Sequence, residues 1–94
     1  MAKMAGLMTE LRNDPPVSIG SVPVVSTTDL ANGTDEFDPS NVLIYELAGS
    51  RVIIRPSGTE PKIKAYLESV DADRSLAEDR LRRLEVAIAE LLTR

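Results

Sequence analysis

Three short segments in which apolar and polar residues alternate constrain the fold of this chain more than any other feature of its sequence. They are residues 42–47, 51–55 and 63–70. Alternation with a period of two residues is typical of strands that bury one face and expose the other. Only three residues separate the first two segments, and the middle one is Gly49, which can adopt the positive φ that a tight turn requires. The pattern therefore predicts two consecutive antiparallel hairpins.

Another strand and two helices complete the predicted architecture. Residues 21–28 are rich in valine, and Pro23 favours a place at the edge of the sheet because proline has no N–H to donate. Apolar residues at helical spacing predict helices over residues 4–12 and 75–93. Together these elements predict an α+β fold, with a small, mostly antiparallel four-stranded sheet and two helices packed on one face.

The second helix carries the most detailed local signals. Ser75 and Glu78 have the spacing of a capping box, and two i, i+4 ion pairs are predicted on the exposed side, Glu78–Arg82 and Asp79–Arg83. The apolar residues of this helix form a narrow stripe, which could be a coiled-coil seam. The helix is too short for the several heptads that a coiled coil needs, so we predict that the stripe packs on the sheet.

Composition excludes several classes of function. The 94 residues include no cysteine and no histidine, which excludes disulfides, thiol nucleophiles, imidazole bases and the usual zinc sites. A net charge of −4 argues against a nucleic-acid or membrane partner, and no apolar run reaches the length of a membrane span. We expect residues 1–94 to form one cytoplasmic domain, in which residues 1–3 resemble an added start rather than a natural leader.

Acidic residues cluster in the predicted loop 29–40, which invites comparison with a calcium site. Asp35, Glu36 and Asp38 lack the alternating ligands, the central glycine and the terminal glutamate of a calcium-binding loop. We interpret residues 29–40 as a solvated loop and predict no metal site in this chain.

The loop of the second hairpin, residues 55–62, has a composition suited to anions. Its sequence is RPSGTEPK, and the two prolines bracket four residues that each carry a backbone N–H. Gly58 lets the main chain approach a ligand closely, and the hydroxyls of Ser57 and Thr59 add adaptable donors. Donors without bulky side chains are what a phosphate dianion requires.

Positive charge is concentrated around the same segment. Arg55 and Lys62 stand at its two ends, and within residues 51–64 the only acid is Glu60. Charge-assisted hydrogen bonds from guanidinium and ammonium groups favour phosphate. Proline, serine and glycine are also ordinary turn residues, so a loop that only reverses the chain stays an open alternative.

Residues 55–62 and their continuation IKAYLE at 63–68 resemble the phosphate-binding loop in the last domain of the α-D-phosphohexomutases, the phosphoglucomutase/phosphomannomutase family. Residues 7–20 and 41–47 are similar to the segments that precede this loop in family members. The resemblance therefore covers most of the chain. It implies the fold of the C-terminal (fourth) domain of such an enzyme.

The resemblance also implies a function in carbohydrate metabolism. The parent enzyme would be an isomerase that transfers phosphate between the 1- and 6-positions of a hexose through a bisphosphorylated sugar. This domain would bind the phosphate of a hexose 1- or 6-phosphate and would have no catalytic residue and no cofactor of its own. The implied phosphate contacts are Arg55, Ser57, Gly58, Thr59 and Lys62.

The remaining domains of the parent enzyme are the implied partners, and they would supply the phosphoserine nucleophile and the magnesium loop. Lys62-Ile63-Lys64 differs from the Leu-Ile-Arg continuation of the phosphoglucosamine mutase branch, which favours hexose or pentose phosphates. The turn 48–50 is one residue shorter than in relatives. The alternative function is a free-standing protein-interaction module in which residues 55–62 are only a turn.

Overall fold

The structure is a computed structural model that describes residues 2–33, 35, 38–57 and 63–92, with residues 2–5 described as backbone only. Its elements in chain order are α1 (Ala2–Asn13), β1 (Ser18–Ile19), β2 (Val22–Asp29), β3 (Leu43–Leu47), β4 (Ser50–Pro56), β5 (Ile63–Ser69) and α2 (Arg74–Leu92). The strands form one sheet in the order β1-β2-β3-β4-β5, and each neighbouring pair is antiparallel. The predicted α+β class and antiparallel hairpins are confirmed.

The predicted number of four strands is wrong by one, because β1 was missed. β1 has two residues, which is too short for alternation to be visible, and it pairs with the first two residues of β2. The turn between them consists of Gly20 and Ser21, whose φ angles are +59° and 66°. Two consecutive positive φ angles are typical of the two-residue hairpin turn that matches the twist of its strands.

Pro23 does not mark the edge of the sheet as predicted, because β1 lies outside the start of β2. The N–H of Val24 donates to the carbonyl of Val17 at 2.9 Å, on the β1 side. Neighbouring residues of a strand direct their N–H groups to opposite sides, so the nitrogen of Pro23 faces β3. Pairing with β3 begins only at Val24, so the missing N–H removes no bond of that ladder.

One face of the sheet and both helices enclose the hydrophobic core. β3 and β4 contribute Leu43, Tyr45, Leu47, Val52 and Ile54, while α1 contributes Met8 and Leu11 and α2 contributes Leu84 and Ile88. Because all of these side chains belong to one buried cluster, the two helices lie on the same face of the sheet, as predicted. The stripe of α2 packs into this core rather than into a coiled coil.

The first helix is longer than predicted and is also tied to the sheet by charge. It spans Ala2–Asn13 instead of residues 4–12. The Nε of Arg12 donates to the carboxylate of Asp29 at 3.1 Å, which joins the end of α1 to the end of β2.

The turn between β3 and β4 depends on Gly49, as the sequence predicted. Its φ is +74°, and a Cβ built there would lie 2.5 Å from Nη1 of Arg80. That guanidinium donates to the carbonyl of Val70 at 3.3 Å and to the carboxylate of Asp71 at 3.3 Å. Arg80 therefore joins α2 to the end of β5 directly beside the turn.

Replacing Gly49 by alanine is expected to destabilise the fold by about 1–2 kcal/mol, because an L residue pays for a left-handed φ. Urea denaturation of the two proteins measures the difference. The control is Gly6→Ala in α1, where no atom lies within 4 Å of the new Cβ. That change should instead stabilise the helix by about 0.5–1 kcal/mol. Equal effects of the two changes would contradict the assigned role of Gly49.

Asp73, and not Ser75, caps the second helix. Its Oδ1 accepts hydrogen bonds from the backbone N–H groups of Ser75 at 2.9 Å and Leu76 at 3.3 Å. The predicted capping box was wrong because the helix begins earlier, at Arg74, and the carboxylate of Asp73 accepts from its first free N–H groups. The charge of Asp73 also suits the positive end of the helix. Glu78 pairs with Arg74 at 3.3 Å instead of closing a box.

The ion pairs on the exposed side of α2 were predicted in part. Asp79 pairs with Arg83 at 2.7 Å, as expected. The predicted Glu78–Arg82 pair is wrong, because Arg82 lies 3.8 Å from Asp79 and Glu78 contacts Arg74. Helical spacing allows i+3 and i+4 partners alike, so the sequence did not distinguish them.

Asp73→Ala should lower the free energy of unfolding by about 1 kcal/mol, because two backbone N–H groups at the start of α2 lose their acceptor. Ser75→Ala, two residues away in the first turn, is the matched control and should change it by less than about 0.5 kcal/mol. Thermal or urea unfolding provides the comparison. A larger loss for the serine change would restore Ser75 as the cap.

Candidate functional site

The candidate site is the end of the β4–β5 hairpin, where residues 55–62 connect the two strands. β4 ends at Pro56 and β5 begins at Ile63, so this segment lies at the opposite end of β4 from the Gly49 turn. Of the predicted contact residues, Arg55 and Ser57 are described. The others lie outside the described residues, and their predicted roles stay predictions: Gly58, Thr59 and Lys62.

The strand register brings two cations together at the base of the loop. Arg55 pairs directly with Lys64 across the β4–β5 ladder, one step before Pro56 pairs with Ile63. Directly paired residues share a face of the sheet, and the neighbouring pair Ile54–Ala65 faces the core. Arg55 and Lys64 therefore lie on the outward face, away from both helices.

Arg55 is exposed, and an aromatic side chain holds its guanidinium. Its Nη2 donates to the hydroxyl oxygen of Tyr66 at 3.3 Å, and its Cζ lies 5.6 Å from the centre of the Tyr66 ring. Tyr66 as a whole is 47% exposed. A guanidinium in this position is attracted by the π face as well as by the hydroxyl.

The charge of Arg55 is not neutralised by an acid within the described part of the chain. By contrast, Arg51, four residues earlier on the same face, donates to the carboxylate of Glu46 at 2.7 Å. Because Tyr66 is a neutral acceptor, its hydrogen bond does not cancel the charge of Arg55. A guanidinium can form charge-assisted hydrogen bonds with an anion.

The guanidinium lowers the pKa of the Tyr66 phenol below its ordinary value. The hydrogen bond from Arg55 is the largest cause, followed by the charge of Arg55 and, more weakly, that of Lys64, while partial desolvation opposes the shift. Each favourable contact stabilises the phenolate relative to the phenol. The titration of Tyr66 therefore reports on the position of Arg55.

Tyr66 was not predicted as a site residue, although the strand that carries it was predicted. Tyr66 lies two residues beyond Lys64 on β5, diagonally opposite Arg55, within reach of a long side chain. A tyrosine on the outward face, near an arginine at the end of the neighbouring strand, could be identified as a site residue once the register is known. Alternation alone does not fix that register.

Ser57 has the opposite environment from Arg55. It is 9% exposed, and only Ser50 is a comparably buried polar residue among those described. The chain therefore turns inward immediately after the exposed arginine. The two described residues of the predicted contact set flank Pro56, whose φ is fixed by its ring.

Two further properties bear on what the chain can bind. Within the described residues, no three acids are grouped closely enough to hold a metal ion, and Asp35 and Asp38 are exposed. No helix in that part of the chain is long and apolar enough to cross a membrane.

The fold and this site define a class of protein, a small α+β domain that presents a basic, proline-bounded segment at the end of an antiparallel hairpin. Residues 21–91 match the family model described as phosphoglucomutase/phosphomannomutase, C-terminal domain. The chain belongs to this family.

Curated relatives agree with the family. The chain is 46% identical over 84 residues to a protein named "Probable phosphomannomutase" from Haemophilus influenzae, in a match covering 83% of this chain and 17% of that protein. It is 31% identical over 77 residues to a phosphoglucomutase from Staphylococcus epidermidis, covering 70% of this chain and 14% of the relative. The chain thus spans less than a fifth of the length of these relatives.

Replacing Arg55 by glutamine should raise the pKa of Tyr66 towards 10.0, because the donor and the charge that lower it are both removed. Ultraviolet difference absorbance of the phenolate measures the change, and Tyr66→Phe identifies the contribution of Tyr45, the other tyrosine. Arg51→Gln is the matched control and should shift this pKa less. An unchanged titration after Arg55→Gln would contradict the contact.

Proposed function

We propose that this chain is the substrate-phosphate-binding domain of a phosphoglucomutase or phosphomannomutase. In the whole enzyme, an isomerase, phosphate would pass between the 1- and 6-positions of a hexose through a bisphosphorylated sugar. The observation that carries the proposal is the exposed guanidinium of Arg55, fixed by Tyr66 and left without an acidic partner in the described residues. Family membership supports the substrate class.

The chemistry of the described residues suits a phosphate dianion. A guanidinium carries several N–H donors, and Tyr66 accepts only one of them, so others remain for phosphate oxygens. Lys64 adds a second charge on the same face. Each charge-assisted hydrogen bond contributes about 1.5–3 kcal/mol, and part of this is offset by desolvation and lost freedom. We therefore expect weak, salt-sensitive binding by the chain alone.

The contact set would be completed by residues next to Arg55. The proposed contacts are Ser57, Gly58, Thr59 and Lys62, through main-chain N–H groups, hydroxyls and an ammonium group. Such contacts recognise phosphate without recognising a particular sugar, so one loop can hold either phosphate of a sugar that turns round in the site. We propose that sugar selectivity comes from other domains.

The proposed role is binding and not catalysis. A serine or threonine hydroxyl needs a positioned base to act as a nucleophile, and the sequence has no histidine to provide one. Magnesium, which the family implies, does not fit the described residues of this chain, because they hold no suitable group of acids. We assign the nucleophile, the magnesium site and the remaining partners to other domains of a cytoplasmic enzyme.

Amide NMR of the ¹⁵N-labelled chain tests the proposal directly. Glucose 1-phosphate, glucose 6-phosphate and inorganic phosphate should each shift the signals of residues 55–62. Arg55→Gln should weaken this binding about tenfold or more, since a charge-assisted contact is lost. Arg51→Gln, whose guanidinium is already paired with Glu46, should weaken it much less. Equal binding by the wild type and Arg55→Gln would contradict the proposal.

The alternative, a protein-interaction module, makes a different prediction in the same spectra. α2 exposes Leu76 and Val86 to 55% and 62%, so a partner that docks on this helix would shift their signals. Isolated exposed apolar residues are common on protein surfaces, and we therefore favour phosphate binding. Shifts along α2 with a partner protein, and none at 55–62 with phosphate, would support the alternative.

A further inference from the structure

We infer that Tyr66 is a positioning residue that orients the guanidinium of Arg55 for phosphate, an inference that rests on the proposed function. Tyr66 contacts Arg55 in two ways, through its hydroxyl at 3.3 Å from Nη2 and through its ring at 5.6 Å from Cζ. Both contacts come from one side chain, and together they hold the guanidinium beside the phenol.

The strand pairing explains why Tyr66 can do this. Tyr66 pairs directly with Ile53, while Arg55 pairs with Lys64, so the arginine must lean along the strand to reach the phenol. An exposed arginine that is otherwise free loses considerable rotamer freedom on binding, and orienting it beforehand reduces that loss.

The positioning role requires Tyr66 to be protonated. As a phenol, its oxygen accepts from Arg55 without consuming the positive charge. As a phenolate it would pair with Arg55 and repel a phosphate dianion. Among the described residues, the charged groups that share the outward face with Tyr66 are Glu46 on β3, Arg51 and Arg55 on β4, and Lys64 and Glu68 on β5. Arg51 already pairs with Glu46, whereas Arg55 contacts the phenol oxygen, so the phenolate would neutralise the charge of Arg55.

Two substitutions at residue 66 separate the contacts. Tyr66→Phe keeps the ring and removes the acceptor, and it should weaken binding of inorganic phosphate about twofold to tenfold, the range of one lost hydrogen bond. Tyr66→Leu removes both contacts and should weaken binding further. Glu68→Gln, on the same strand and the same face, is the matched control and should not weaken binding. Amide NMR titration of the 94-residue chain provides the affinities.

The pH dependence of phosphate affinity distinguishes the positioning role of Tyr66 from a purely structural role, which would not alter it. Affinity for phosphate should fall as Tyr66 deprotonates in the alkaline range, and Tyr66→Phe should abolish that fall. Reciprocally, saturating phosphate should raise the pKa of Tyr66, because binding and deprotonation disfavour each other. If a variant loses its dispersed spectrum and is unfolded, the test is the phenol titration of the unmodified chain with and without saturating phosphate. A pKa of Tyr66 that phosphate leaves unchanged would overturn the inference.

The proposed function and the positioning role of Tyr66 would fail in different ways. If Arg55→Gln weakens phosphate binding while Tyr66→Phe binds as tightly as the wild type with the same alkaline fall, the positioning role is wrong and the proposed function stands. If Arg55→Gln has no effect, the proposed function is wrong, and the role of Tyr66 falls with it. Weaker binding by both variants, with the control unchanged, supports both.

Discussion

The antiparallel pairing of β4 with β5 is the constraint on which the rest of this structure depends. It directs Val52 and Ile54 into the core beneath both helices, where they are completely buried. The same register directs Arg55 outward, opposite Lys64 and diagonal to Tyr66. A slip of one residue would exchange the two faces, so the core and the candidate site cannot be altered separately. Burial of aliphatic side chains therefore positions the exposed cation.

Periodic patterns in the sequence predicted the longer strands and the helices. The features that were missed are those too short to show a period, and those in which neighbouring residues compete for the same hydrogen bonds. Alternation located β3, β4 and β5, and Gly49 was identified correctly as the residue of their first turn. β1 has only two residues, which cannot show an alternating pattern, so this strand was not predicted. At the start of α2, Asp73 and Ser75 are both good caps, and propensity does not decide which carboxylate or hydroxyl reaches the free N–H groups.

The candidate site was predicted to a similar extent. Arg55 and Ser57 were singled out by residue type and spacing, and the structure locates Arg55 on the exposed face and Ser57 in a buried position. Tyr66 was missed because its importance depends on the diagonal across a ladder, which requires the register. The resemblance to the phosphohexomutases led to the correct family, whereas the residue types alone favoured an ordinary turn.

The central claim is that Arg55 is an anion ligand held ready by Tyr66, and the side-chain NMR signals of Arg55 itself test it most directly. With ¹⁵N-labelled arginine, the guanidinium N–H signals of Arg55 should move and sharpen when glucose 6-phosphate is added, because a phosphate restricts exchange and rotation. Signals of Arg51 and Arg80 serve as internal references and should stay in place. Unchanged Arg55 signals at ligand concentrations that shift other residues would contradict the claim.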